Sequence, residues 1–158
     1  MSRHLLEMPR SLYGTLIVDL AKSGQGIKEA GAFLLGSING QTRRVSSYLM
    51  YDAVATERSN QYAYVTFSAA EMAHAWERCY ATGLQVIADV HTHPRGPRQS
   101  LSDRAHPIVS IPGHVALIVP FFAMRGPEPV DLGVHVFEGA GQWRSMFNQA
   151  AHDAILLI

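Results

Sequence analysis

A chain of 158 residues, 47% of them hydrophobic, is the size of one domain built on an ordinary core, taken here as residues 1–158. Its 13 basic and 13 acidic residues cancel without a run of like charge, which excludes a nucleic-acid-binding stripe and an acidic tail. The N-terminal residues lack the apolar stretch of a secretion signal, no window approaches the roughly 20 apolar residues of a membrane span, and the single cysteine, Cys79, has no partner for an internal disulfide. A reducing cytoplasm is the expected location, with neither nucleic acid nor membrane as a partner.

In chain order, residues 11–21 read as a helix with Leu12, Leu16, Val18 and Leu20 on its apolar face, closed by the loop Ser23-Gly24-Gln25-Gly26. A strand begins near Glu29. Asn39-Gly40, between residues 34–38 and 42–50, is a hairpin signal of the type I′ kind, so two antiparallel strands are expected there. Residues 62–67 read as another strand, and Ser68-Ala69-Ala70-Glu71 has the spacing of a capping box. The helix it opens runs to about Thr82 and ends at Gly83; Met72, Ala75, Trp76, Cys79 and Tyr80 recur at helical spacing and are expected in the core, with Cys79 a buried free thiol. Strands follow over 115–119 and 134–137, and the apolar 154–158 reads as a docked strand or helix end, or an interface. The fold class is α/β: a mixed, curved sheet flanked by helices.

Residues 84–90, Leu-Gln-Val-Ile-Ala-Asp-Val, are apolar enough for a buried strand leading into His91-Thr92-His93-Pro94. Side chains alternate along a strand, so His91 and His93 share a face about 6.6 Å apart while Thr92 points away. From that spacing both imidazoles can converge on one ion at roughly 2.0 to 2.1 Å, and Pro94 stops the strand just beyond them. A catalytic zinc keeps three protein ligands and an open position, and Asp103 is the nearest downstream carboxylate, brought back by the turn-forming Arg95-Gly96-Pro97-Arg98-Gln99. His91, His93 and Asp103 are therefore the expected ligands. Asp89 shares the parity of His91 and is a candidate acceptor for its outer imidazole N–H. The remaining histidines, His4, His74, His114, His135 and His152, lack ligand spacing to one another, and most are expected to be surface or half-buried; His106 is a candidate substrate contact only.

His-Thr-His-Pro followed by Ser100-Leu101-Ser102-Asp103 resembles the metalloprotease motif of the JAB/MPN (JAMM) domain family, whose architecture is cytidine-deaminase-like. Upstream, Glu29-Ala30-Gly31-Ala32-Phe33-Leu34-Leu35-Gly36 is similar to the E-x-G-G-x-L-L-G segment of bacterial JAB proteins, with Ala32 where a second glycine often stands. The likeness extends from about Arg10 to Trp143. It implies that Glu29 is the general base, that Ser100 donates a hydrogen bond to the developing oxyanion, and that Ser102 is a cap or a bystander. It also implies a zinc-dependent isopeptidase or peptidase acting after the C-terminus of a ubiquitin-like protein or its conjugates, in a bacterial system with E1/E2-like conjugation enzymes or antiphage defence. The substrate tail would enter extended, with residues 51–61 as its neighbour. Two other readings stay open: a metallopeptidase that processes a sulfur carrier or small peptide, and a non-catalytic MPN scaffold subunit.

Overall fold

The computed structural model describes residues 4–54 and 67–158. Strand β1 (Leu6–Met8) and helix α1 (Arg10–Gly24) open the chain and lead to the hairpin β2 (Gly31–Asn39) and β3 (Thr42–Met50). Then come α2 (Ala69–Thr82), β4 (Gln85–Thr92), α3 (Leu101–Ala105), β5 (Val115–Val119), β6 (Gly133–Gly139), β7 (Gln142–Met146), α4 (Gln149–Ala154) and β8 (Ile155–Leu157). Among the described residues the strands form one mixed sheet in the order β7-β6-β5-β4-β2-β3-β1-β8. β4 runs parallel to β5, and β1 parallel to β3 and β8; the other pairs are antiparallel. Bulges at Leu34/Leu35 and Phe137/Gly139 bend it, as a curved sheet requires.

β2 is buried on both faces, which is why its run is apolar without interruption. Ala32 and Leu34 join Leu16 and Leu20 of α1 in one core, while Phe33 and Leu35 meet Ala75 and Cys79 of α2 in the other. Each fully buried Leu or Phe contributes about 1.5–3 kcal/mol of transfer free energy, so both helices are held by this one strand and its neighbours. Ala32, the departure from the double glycine, is wholly buried and packs as a core methyl.

The sequence reading of α1 needs one correction. Tyr13, Leu16, Ile17 and Leu20 line its buried face, whereas Val18 is 49% exposed. At 3.6 residues per turn, Val18 lies some 200° round the axis from Leu16 and cannot share its stripe. In α2 the capping box forms as expected: Glu71 N–H donates to Ser68 Oγ at 3.1 Å and Ser68 N–H to Glu71 Oε1 at 2.9 Å, and Gly83 closes the helix with φ 71°. Met72, Ala75 and Cys79 face inward, but Trp76 and Tyr80 stand one position further round and are exposed, Tyr80 at 93%. Ala75 and Cys79 are small, and that row lets the helix axis approach the sheet.

The hairpin forms with its turn one residue later than a type I′ Asn-Gly reading places it. Asn39 pairs with Thr42 as a strand residue, the loop is Gly40-Gln41, and positive φ falls on Gly40 alone, the pattern of a type II′ turn. The C-terminal segment docks as β8 beside β1, with Ile158 N–H donating to Met8 O at 3.0 Å. All but Phe67 of the strand expected over 62–67, and most of the 51–61 loop, lie outside the described residues.

Gly31 is the glycine the packing requires. A Cβ there would stand 2.2 Å from Cε2 of Tyr51 and 2.7 Å from the carbonyl oxygen of Val90. Gly31→Ala is expected to destabilise the fold by about 1–3 kcal/mol through overpacking. Chemical denaturation checks this; a variant as stable as the wild type would show that Tyr51 yields freely.

Candidate metal centre

β4 reaches Thr92, two residues past the apolar run 84–90, and this carries His91 on the same face as Asp89 with His93 just beyond the strand. The two imidazoles turn towards each other, Nε2 to Nε2 at 3.0 Å. The backbone of His93 is tied to the end of β5: its N–H donates to Val119 O at 2.9 Å and its C=O accepts from Phe122 N–H at 2.9 Å. Phe122 belongs to a short left-handed turn in which Phe121, Phe122 and Ala123 all have φ of 53–62°. Non-glycine residues adopt that region at a cost of roughly 1–2 kcal/mol each, so the surrounding structure over-determines this turn against His93.

Thr92, between the histidines, points into the opposite layer as its parity requires. Its Oγ1 accepts from Ala30 N–H at 3.0 Å and its own N–H donates to Ala30 O at 2.8 Å. Both bonds hold the residue next to Glu29. Glu29, 7% exposed, is thereby placed with Oε1 3.8 Å from His93 Nε2, while its Oε2 is buried with no hydrogen-bond partner among the described residues.

Asp103 enters from α3. Ser100 caps that helix: its Oγ accepts from Asp103 N–H at 3.0 Å, and Asp103 Oδ2 accepts from Ser100 N–H at 2.8 Å. The S-x-x-D motif is thus also a capping box, a role the sequence reading gave to Ser102. The bond uses a lone pair of the Ser100 oxygen and leaves its O–H to donate elsewhere. Asp103 Oδ1 lies 3.4 Å from His91 Nε2 and Oδ2 3.0 Å from His93 Nε2.

Among the described residues, Glu29, His91 and His93 offer donor atoms within 4.8 Å of one another. Asp103 closes on the same pair with two oxygens, Oδ2 3.0 Å from His93 Nε2 and Oδ1 3.4 Å from His91 Nε2, while the two imidazole nitrogens are 3.0 Å apart. Donors 2.0–2.1 Å from a tetrahedral ion stand about 3.3–3.4 Å apart, so imidazoles and carboxylates gathered this closely could hold one ion. Without an ion the charges settle among themselves. Burial disfavours the charged form of His91, yet the Asp103, Asp89 and Glu29 carboxylates outweigh it and raise its pKa. Burial would also raise Asp103, but hydrogen bonds from His91 and His93 hold it well below the usual carboxylate range. Glu29 has no such bonds: burial, with a smaller contribution from Asp103 and against His91, pushes it up to about 7.

Two buried histidines depart from the surface or half-buried positions expected of most. Asp89 takes its hydrogen bond from His114, Nε2 to Oδ2 at 2.7 Å with both residues buried, and not from His91. The reason is the parallel β4–β5 pairing, which sets Asp89 beside Ala116 and so close to His114. His135 on β6 is also buried and bonds Pro97 and Ser145. Neither histidine has a spacing signal, because both join the site through sheet register. Pro107 ends α3 as expected, and His106 stands exposed on the rim of a cleft shared with Tyr51, Gln99, His91, Asp103 and Trp143.

Residues 15–128 match the family described as prokaryotic homologs of the JAB domain, and the chain belongs to that family. The fold is shared with the solution structure of a protein from Desulfitobacterium hafniense, at TM-score 0.65 and 20% identity over 97% of this chain and 92% of the other. It is shared as well with that of a protein from Salinibacter ruber, at TM-score 0.56 and 22% identity over 90% and 89%. No helix among the described residues is long and apolar enough to cross a membrane.

Because folding raises the Glu29 pKa from 4.5 to about 7, its contribution to stability is fully present below the lower value and is lost as pH rises through the upper one. In chelator-treated protein, the Tm of the wild type should therefore fall relative to that of Glu29→Gln between about pH 5 and about pH 8.5, because the amide stays neutral throughout. Thermal unfolding across that range checks it; parallel Tm curves would exclude Glu29 as the titrating group.

Proposed function

We propose that this chain is a zinc-dependent isopeptidase or peptidase that cuts after the C-terminus of a ubiquitin-like protein, by deconjugation or by precursor processing. One observation carries the reading: two imidazoles and two carboxylates converge, with Asp103 Oδ2 3.0 Å and Glu29 Oε1 3.8 Å from His93 Nε2, while Glu29 Oε2 is buried without a hydrogen-bond partner among the described residues. Buried polar groups are nearly always satisfied, and an orphan at such a place is accounted for by a reacting group that visits it. Imidazole and carboxylate donors with one open position suit zinc.

His91, His93 and Asp103 would hold the ion, which when bound would supply Lewis acidity towards the scissile carbonyl and the attacking water. The protein's own work is proton transfer and positioning. Glu29, outside the ligand set, takes a proton from the attacking water and returns it to the leaving amine, a task typically worth 10²- to 10⁴-fold. Ser100 directs its free O–H towards the developing oxyanion from the cap of α3, and the same cap fixes Asp103. The setting proposed with it is a bacterial ubiquitin-like conjugation or antiphage defence system with E1/E2-like enzymes as neighbours in function; of this, the match to prokaryotic homologs supports only the prokaryotic setting.

The test is cleavage of ubiquitin-like proteins bearing C-terminal peptide or lysine-linked extensions by wild type, Glu29→Gln and chelator-treated protein. Cleavage after the terminal glycine is expected from the wild type alone, with Glu29→Gln retaining zinc while turnover drops by about 10²- to 10⁴-fold. A fully active Glu29→Gln sinks the assignment of the base. Zinc-loaded protein that cuts none of the panel removes the substrate class.

A further inference from the structure

The connection between His93 and Ser100 is turn-forming sequence, yet it must hold Asp103 within 3.0 Å of His93 Nε2. What restrains it comes from the far side of β5. His135 on β6 is 1% exposed and lies opposite Ser145 of β7 in the antiparallel register. Its Nε2 is 3.0 Å from Pro97 O and its Nδ1 2.7 Å from Ser145 Oγ. A carbonyl oxygen only accepts, so Nε2 carries the proton; in the neutral ring Nδ1 then offers a lone pair, and the Ser145 O–H donates to it.

The contacts around this chain of bonds are specific to it. Gly133, two residues earlier on the same face of β6, has no room for a side chain: a Cβ would stand 2.0 Å from Pro97 O and 2.6 Å from His135 Nε2. The Phe147 ring packs edge-on to His135 at 5.5 Å between centroids and carries the Arg98 guanidinium on its face at 5.4 Å. Beyond Asp103, Trp143 of β7 donates from Nε1 to Arg104 O at 3.1 Å. β6 and β7 thus grip the chain at Pro97 and at Arg104, on either side of Asp103.

The geometry points to His135 as the positioning residue of the metal centre: a neutral imidazole whose Nε2–H latches the Pro97 carbonyl and so fixes Asp103 against the histidine pair. This rests on the reading of His91, His93 and Asp103 as ligands. His135 touches no ligand and no reacting atom. Burial, the largest influence, lowers its pKa to about 4, which keeps the ring neutral in the ordinary range.

The experiment measures Co²⁺ affinity by chelator competition, the visible spectrum of the Co²⁺ protein, and the Tm of the metal-free protein, on the full chain. His135→Leu should weaken Co²⁺ binding about 10- to 100-fold and alter the tetrahedral bands. His135→Gln, whose amide N–H can still reach Pro97 O, should restore affinity and spectrum, a rescue that loss of general stability does not explain. If His135→Leu fails to fold, Gly133→Ala wedges a methyl between the Pro97 carbonyl and His135 Nε2 and breaks the latch while keeping the imidazole in the chain, and the same loss is expected. Affinity and spectrum unchanged in His135→Leu, or in Gly133→Ala, overturn the inference. Wild-type protein that takes up no Co²⁺ sinks instead the ligand reading beneath it.

Discussion

Ala30 and Thr92, 62 residues apart in sequence, are joined by two hydrogen bonds, one from the Thr92 backbone and one to its hydroxyl, and the site hangs on that junction. The candidate base and both imidazoles are within one residue of it. Glu29 precedes Ala30, His91 and His93 flank Thr92, and the antiparallel register that pairs Gly31 with His91 sets the base beside the imidazoles. A slip of one residue would send both histidines into the core layer that Ala88 and Val90 occupy. The register is held because each face of β2 packs a different layer, Ala32 and Leu34 with α1 and Phe33 and Leu35 with α2, so a slip would exchange the two sets and misfit both.

Burying two imidazoles and two carboxylates in one place is expensive unless they satisfy one another. Asp103 succeeds: one oxygen serves the Ser100 N–H and His93, the other faces His91. Glu29 does not, and its raised pKa and orphan oxygen express the same deficit in two ways. Such local inconsistency is what stability alone would remove, and it persists where a fold is shaped around a ligand or a reacting group. Tyr51 Oη and Gln99 Oε1, also buried without partners among the described residues, line the adjoining cleft.

The parts that restrain the site come from elements with no chemistry of their own. The left-handed turn after β5 engages the carbonyls of His93 and Arg95. β6 and β7 reach over to Pro97 and Arg104 through His135 and Trp143. The α2 layer supplies the wall on which Tyr51 and Phe33 pack, and Tyr51 in turn occupies the space that Gly31 leaves open. Each restraint pairs residues distant in sequence, so the site is rigid to the extent that the whole sheet is assembled.

Much was legible in the chain itself, because it depends on local spacing. Alternation places His91 and His93 on one face, the Ser68 and Glu71 spacing caps α2, and the short Pro94-to-Ser100 connection returns Asp103 to the strand end. These follow from periods of 2 and 3.6 and from caps, which act within a few residues. Where the reading failed, the deciding contact was long-range or turned on which helical row packs: Val18, Trp76 and Tyr80 are apolar yet face away from the sheet, and the Asn39-Gly40 turn shifts by one residue to suit the strand register. Asp89 finds His114 rather than His91, and His135 is buried as a latch. Sequence by itself determined which groups could form the site. Tertiary structure decided which of them meet and what holds them there, because hydrogen bonds between strands are set by register and by packing across the sheet, neither of which any single segment encodes.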